Sequence, residues 1–207
     1  MASLIVAGDT SGSVTIAAPA VASTPTLTLP TVSGTFITTA SSGQSIPKAA
    51  LPTGSVLQVV STTKTNKFTT TSTSAVDITG LSVTITPTSA SSKILIVTNI
   101  NYGGDTNLYG AFFVLRNSTN VVVGTYPTGS QTAATFGVGQ TYDIYKVDCA
   151  SNTYLDSPNT TSATTYKVQA STYDVATTFT INAPFATNNA AYIIGGTSTI
   201  TVMEIAA

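Results

Sequence analysis

The chain has 207 residues, enough for one large domain or for one domain with a small appendage. Only 7% of the residues are charged and the net charge is -1, against about 25% charged residues in typical globular domains. Because 42% of the residues are hydrophobic, the chain does not belong to the disordered class, which combines low hydrophobicity with high net charge. The absence of histidine excludes Ser-His-Asp and Cys-His catalysis and removes the commonest metal ligand.

The first predicted elements are short alternating strands in residues 1–45, which we interpret as an extended β arm. They read "SLIVAG", "VTIAAP", "PTLTLP" and "GTFITTA", and glycine or proline punctuates them. Their few small aliphatic side chains bury too little area to offset the backbone entropy of folding, so the arm is expected to order only against a partner. The start of the chain lacks a basic segment and a long apolar segment, so we expect no secretory signal. The residues assigned to this anchoring role are Leu4, Val6, Asp9, Val14, Ile16, Leu27 and Leu29.

A proline- and glycine-marked stretch, residues 46–55, is predicted to be a linker, and residues 56–207 a single head domain. The head contains about ten alternating runs separated by turn signals, which is typical of a β-sandwich or jelly roll. The predicted strands are "VLQVVSTT", "KFTTTST", "VDITGLSVTITP", "KILIVTNINYG", "LYGAFFVLRN", "VVVGTY", "TFGVGQTYDIYKVDC", "TYKVQAST", "TTFTIN" and "STITVMEIAA". No sustained helical period occurs, so little helix is expected.

Two of these runs predict which faces are buried. In "LSVTITP" the alternation places Leu81, Val83 and Ile85 on one face, and Pro87 ends the strand. "KILIVTNI" is continuously apolar, as in strands buried on both faces, and the second face is expected to lie against a neighbouring subunit. The terminal "ITVMEIAA" is equally apolar, so we assign it to the core or to a subunit interface, with Glu204 structural rather than catalytic.

The charged residues indicate no catalytic or metal centre. The eight acids are isolated in the sequence, whereas glycan cleavage needs two carboxylates that face each other across a cleft. The sequence contains neither an aspartate-rich calcium loop nor a glycine-rich phosphate loop before a helix. The single Cys149 cannot form an intrachain disulfide, and the scattered basic residues form no patch for nucleic acid. We therefore expect no enzymatic activity, cofactor, bound metal, nucleic-acid partner or membrane insertion.

Tyrosines in turn-rich stretches are the best binding candidates. A tyrosine offers a flat apolar face and a hydroxyl group, which suits stacking on sugars or packing against protein; the alternative is a tyrosine that anchors a strand end. The stretches "NINYGGDTNLYG" and "TYPTGSQ" are expected to be exposed loops. The candidate receptor contacts are Tyr102, Asp105, Asn107, Tyr126, Tyr154 and Tyr173.

Two long segments resemble bacteriophage virion proteins. "GDTSGSVTIAAPAVASTPTLTLP" with "GTFITTASSGQSIPKAALPTGSVLQVV" is similar to an N-terminal module of tail-fibre proteins of cyanophages and other aquatic phages. "TTSTSAVDITGLSVTITPTSASSKILI", "LYGAFFVLRN" and "STITVMEIAA" resemble the trimeric C-terminal head of such fibres, a jelly roll similar to the complement and tumour-necrosis-factor family. Together the segments cover nearly the whole chain.

The resemblance implies a homotrimer whose arm docks on the phage tail or baseplate and whose head binds a host-surface glycan or protein. Such a protein is assembled in the host cytoplasm and carried on the virion. The strands predicted to lie at the trimer interface supply Tyr109, Phe112, Tyr166, Met203 and Ile205, with ordinary core as the alternative for each. The chain lacks the long shaft of many fibres, so a capsid decoration (cement) protein or head fibre remains the second hypothesis.

Overall fold

The structure, a computed structural model, describes residues 3–7, 13–17, 51–126, 128–139, 143–186 and 188–207. All regular elements in these ranges are β-strands, so the prediction of an all-β protein is confirmed for the described residues. No helix that could cross a membrane occurs among them. The strands are β1 Ser3–Ala7, β2 Ser13–Ala17, β3 Val56–Lys64, β4 Phe68–Thr70, β5 Val76–Ile85, β6 Lys93–Gly104, β7 Gly110–Arg116, β8 Thr119–Asn120, β9 Phe136–Val138, β10 Asp148–Asp156, β11 Thr164–Thr172, β12 Phe179–Ile181 and β13 Ser198–Ile205.

The chain divides into two compact units, Met1–Ile46 and Pro47–Ala207. In the first unit β1 and β2 form an antiparallel hairpin in which Leu4 is opposite Ile16 and Val6 is opposite Val14. The other proposed anchoring residues, Asp9, Leu27 and Leu29, lie outside the described residues. The boundaries at 45 and 55 stay predictions.

The second unit is a β-sandwich of two antiparallel sheets, as the alternating runs predicted. In one sheet the strand order is β3-β13-β6-β10, and the short strands β4 and β12 extend it beside the end of β6. In the other sheet the order is β5-β11-β7, after which β8 and β9 both pair with β7. Both inner faces contribute to one continuous apolar cluster.

The core follows the alternation written in the sequence. Leu81, Val83 and Ile85 are buried while Ser82 and Thr84 are exposed, as predicted for β5. The facing sheet contributes the inward side chains of β6, β12 and β13, and β7 and β11 complete the cluster. Its fully buried members include Ile94, Ile96, Ile100, Phe112, Tyr166, Val168, Phe179, Ile181, Ile200 and Val202.

The strand directions give the sandwich two different ends. At one end, which we call the termini end, residue 54 and Ala206 are joined by a backbone hydrogen bond, so the chain enters and leaves here. The short connections 86–92, 117–118 and 157–163 lie at this end too. At the opposite end, which we call the loop end, lie residues 65–75, 105–109, 143–147, 173–178, 182–186 and 188–197.

Two strand predictions are wrong. The run "VVVGTY", Val121–Tyr126, is not a strand, because it leaves the sheet after β8 and its Gly124 amide instead donates to the Ala134 carbonyl across a loop. The predicted strand over residues 135–149 is divided into β9 and the beginning of β10. Most of β10 was missed because its residues are largely polar. The strand is formed by pairing with β6, and a contact between residues as far apart as Cys149 and Asn99 cannot be read from local sequence.

Candidate functional site

A shallow groove on the β7–β9–β11 sheet carries three exposed tyrosines. Tyr109, Tyr126 and Tyr173 are 51%, 86% and 80% exposed, and all three line one cavity of about 370 Å³. The rings of Tyr109 and Tyr173 meet edge to face with centroids 6.3 Å apart. We call this cavity the tyrosine groove.

Backbone hydrogen bonds hold the tyrosine groove in place. The Tyr173 amide donates to the Tyr109 carbonyl at 2.9 Å, and the preceding Thr172 amide donates to the Ser72 carbonyl at 2.8 Å. The end of β11 is therefore tied to the start of β7 and to the loop before β5. The aromatic rings are thus presented on a supported surface, which lowers the entropy lost when a ligand binds.

The floor of the tyrosine groove is made of small residues. Gly110, Gly124, Gly137 and two alanines line it, together with Thr132, Ser171 and Thr172. At Gly110 a Cβ would lie 2.7 Å from the Phe179 ring, so only glycine fits there against the core. At Gly137 a Cβ would meet only the Gly110 carbonyl oxygen, at 3.8 Å, so the absence of a side chain leaves open space. None of the described residues that line the groove is charged.

Asp105, a predicted receptor contact, joins two loops next to the groove tyrosines. Its carboxylate accepts hydrogen bonds from the amides of Asn107, at 3.1 Å, and Thr178, at 2.8 Å. The Asp105 amide also donates to the Thr178 carbonyl. The loop that leads into Tyr109 is therefore joined to the loop that follows Tyr173.

A second aromatic cluster lies at the loop end and was not found from the sequence. The rings of Tyr145 and Tyr192 meet edge to face at 5.4 Å, and the Asn188 side-chain amide donates to the Tyr192 hydroxyl at 2.8 Å. Phe185 and Ile194, from the same connection as Tyr192, are exposed as well. Turn-rich surroundings were a usable signal for Tyr192, whereas Tyr145 falls inside the strand predicted over residues 135–149.

The outward surface of the β3-β13-β6-β10 sheet, which we call the outer face, carries an apolar row. Val59, Met203, Leu95 and Leu155 are paired side by side across the four strands, and Val59 and Leu155 are 56% and 50% exposed. Along these strands Lys93 is the only charged residue at an outward position, and its ammonium donates to the Ser157 hydroxyl. The outer face is thus nearly free of charge.

The structure separates the predicted site residues into surface and core. Tyr102, a proposed receptor contact, is buried and meets Phe112 and Phe179 edge to face, so it is not available to a receptor. Tyr154 is half-buried against the core, as a strand anchor. Tyr126 and Tyr173 lie together in the tyrosine groove, and Asn107 is exposed in the loop that precedes Tyr109.

The proposed interface residues are divided in the same way. Phe112 and Tyr166 are fully buried inside the sandwich, so neither is available to another subunit. Met203 and Ile205 are half-buried on the outer face. Tyr109 belongs to the tyrosine groove.

Glu204 is a buried carboxylate held by donors near the termini end. It accepts hydrogen bonds from the Thr88 amide and hydroxyl, both at 2.7 Å, and from the Gln58 side-chain amide at 2.6 Å. Burial acts to raise the pKa of Glu204, but the hydrogen bonds from Thr88 and Gln58 outweigh it and hold the pKa below its usual value. Glu204 thus lies in the interior of the sandwich, one of the two placements that the sequence indicated.

Replacing Glu204 with glutamine is expected to lower the free energy of unfolding by about 1–3 kcal/mol at pH 7. Because the folded pKa is depressed, the carboxylate stabilises the protein above its unfolded pKa of about 4.3, and this contribution is lost as the pH falls through the folded pKa. Urea unfolding of wild type and variant between pH 7 and pH 3 measures the difference, which should shrink toward acid. A difference that stays constant with pH would contradict this role.

Among the described residues, no three acidic or cysteine side chains are grouped as metal ligands would be. No protein family model matches this chain, and no curated protein matches it. A solved structure, described as "Structure of infectious bursal disease virus Gx strain", is similar to it with 14% sequence identity and a TM-score of 0.38. That similarity covers 72% of this chain and 37% of the other.

Proposed function

We propose that this chain is a non-enzymatic structural protein of a bacteriophage, a short trimeric tail fibre that attaches the virion to the host cell surface. The observation that carries the proposal is the segregation of exposed tyrosines. Tyr109, Tyr145, Tyr173 and Tyr192 lie at the loop end, and Tyr126 lines the same groove as two of them. The chain enters the sandwich at the opposite, termini end. One end is therefore suited to recognition and the other to attachment.

The strand order supports a jelly roll. The sheets β3-β13-β6-β10 and β5-β11-β7-β9 have the connectivity of two Greek keys folded into a double-sheet sandwich. Jelly rolls recur in viral coat proteins and lectins. Because a fold hosts many functions, the recognition role is argued from the tyrosine groove rather than from the topology.

The first unit is proposed to dock on the phage tail or baseplate. Its hairpin pairs Leu4 with Ile16 and Val6 with Val14 in backbone register. Two short strands are marginally stable on their own in water, so the hairpin is expected to be stabilised by a partner. The other anchoring residues proposed from the sequence, Asp9, Leu27 and Leu29, are assigned the same role.

The homotrimer is proposed to form through the outer face. Four strands spaced about 4.8 Å apart, each about eight residues long at roughly 3.3 Å per residue, present on the order of 500 Å². A contact that covers this face buries roughly twice that area in total, which reaches the ~1,000 Å² expected of a biological interface. The near absence of charge on the outer face lets copies meet without like-charge repulsion.

Replacing Met203 with glutamate is expected to dissociate the trimer, because a charge buried without a partner in an apolar interface costs several kcal/mol. Sedimentation equilibrium of the full chain measures the mass of the assembly. Thr84→Glu, an exposed outward position of the other sheet, is the matched control and should leave the trimer intact. A monomeric wild type, or a Met203→Glu variant that remains trimeric, would rule out this interface.

The experiment that tests the function is the copy number of this chain per purified virion, measured by quantitative mass spectrometry against the major capsid protein. We expect a few to a few tens of copies, with immunogold labelling at the tail. Hundreds of copies on the head would instead assign the chain to the alternative, a trimeric capsid decoration or head-fibre protein that clamps the capsid with its N-terminal arm.

A further inference from the structure

We propose that the tyrosine groove binds an uncharged saccharide. This inference rests on the proposed role in host attachment and specifies the chemical class of receptor. It is argued from the size, the lining and the rigidity of the groove.

The size of the groove suits a small ligand. Binding sites for small molecules are typically cavities of roughly 300–1,000 Å³, and the tyrosine groove, at about 370 Å³, is at the lower end of this range. It opens onto the surface between loops rather than into the core. A short segment of a surface glycan fits this shape better than a folded protein domain, which requires a broad contact area.

The lining selects an uncharged ligand. The groove contains tyrosine, serine, threonine, glycine and alanine, and no basic or acidic side chain. A carboxylate, sulfate or phosphate group would lose its hydration here without gaining an ionic partner, which is costly. Acidic sugars and lipid phosphates are therefore disfavoured.

The tyrosines select a ligand with both apolar faces and hydroxyl groups. An aromatic ring offers a flat surface to the C–H face of a sugar, and its hydroxyl offers a hydrogen bond at the rim. Within the described part of the chain, the hydroxyl groups of Tyr109, Tyr126 and Tyr173 make no hydrogen bond. They are free to bond the hydroxyl groups of a saccharide.

Gly137 supplies a position at which the groove can be blocked without removing an aromatic ring. Its strand neighbours point inward, since Phe136 packs on Phe112 and the Val138 side chain approaches Gly110. Alternation therefore directs position 137 toward the groove. Because a Cβ meets nothing closer than 3.8 Å there, valine at position 137 should be tolerated by the strand and fill the open space.

The test is saturation-transfer NMR of the full chain with the methyl glycosides of glucose, galactose, mannose and N-acetylglucosamine, alongside N-acetylneuraminic acid and a sulfated galactoside as charged probes. We expect transfer to at least one neutral glycoside, with a Kd on the order of 1 mM, and none to the charged probes. Tyr173→Ala and Gly137→Val should each weaken binding about tenfold or more. Thr84→Val, at an exposed position of the same sheet near the termini end and outside the groove, is the matched control and should bind like wild type.

Three results would overturn the saccharide site: no transfer to any neutral glycoside, transfer to the charged probes alone, or unchanged binding in Tyr173→Ala and Gly137→Val. Adsorption of the labelled full chain to host cells separates this inference from the proposed function. Wild-type adsorption that persists in Gly137→Val would remove the saccharide site and retain attachment. Glycoside binding without any adsorption to host cells would retain the site and remove attachment.

Discussion

Replacing Asp156 with alanine is expected to lower the free energy of unfolding by about 3–5 kcal/mol, because it leaves two buried or half-buried groups without their acceptor. The Asp156 carboxylate accepts two hydrogen bonds from the Arg116 guanidinium, at 2.8 and 2.9 Å. It accepts a third from the Tyr166 hydroxyl, at 2.7 Å. The Asp156 side chain is 8% exposed, and Tyr166 is fully buried. Urea unfolding followed by circular dichroism measures the loss.

The matched control is Asp77→Ala, which removes another aspartate that pairs with a basic residue, here Lys167 at 2.8 Å. The Asp77 side chain is 54% exposed, so its loss should cost at most about 1 kcal/mol. Equal losses for the two variants would contradict the argument from burial.

The stability that Tyr166 contributes through its contact with Asp156 is lost at alkaline pH. Burial, followed by the hydrogen bond to Asp156, raises the pKa of Tyr166. Because the folded pKa lies above the unfolded value of about 10, this contribution to stability is complete below about pH 10 and is lost as the pH rises further. The Tyr166 hydroxyl therefore keeps its proton at neutral pH.

Replacing Phe112 with alanine is expected to destabilise the sandwich by about 3–5 kcal/mol. Phe112 lies at the centre of an aromatic group, with ring centroids 5.0 Å from both Phe136 and Phe179 and 6.2 Å from Tyr102. Removing the ring deletes these contacts and leaves a cavity between the two sheets. The melting temperature and the urea midpoint of the full chain measure the effect.

The Phe112 variant also distinguishes core from interface. If Phe112 lay between subunits, as the sequence allowed, its replacement would release folded monomers. Its place inside the sandwich predicts instead that unfolding and loss of assembly coincide. Tyr126→Ala, at a highly exposed position, is the control and should change stability by less than about 0.5 kcal/mol. Folded Phe112→Ala monomers, seen by sedimentation with native circular dichroism, would contradict the core assignment.

The sequence alone determined the class of fold and most of the strands. Alternation in "LSVTITP" predicted the buried face of β5, and the apolar run of β6 predicted buried inner residues, because the period of a strand sets which side chains share a face. The sequence has no histidine and no paired acids, and this argued against catalysis because each kind of catalysis requires particular residue types.

Only the tertiary structure decided which residues meet. Tyr102 and Tyr173 both lie next to turns in the sequence. Tyr102 nevertheless packs between the sheets, whereas Tyr173 lines the tyrosine groove. Phe112 and Met203 both lie on apolar strands, yet one faces the core and the other the outer face. Alternation fixes the relative sides of neighbouring residues, but the side that becomes the interior is chosen by pairing and packing between strands far apart in the chain.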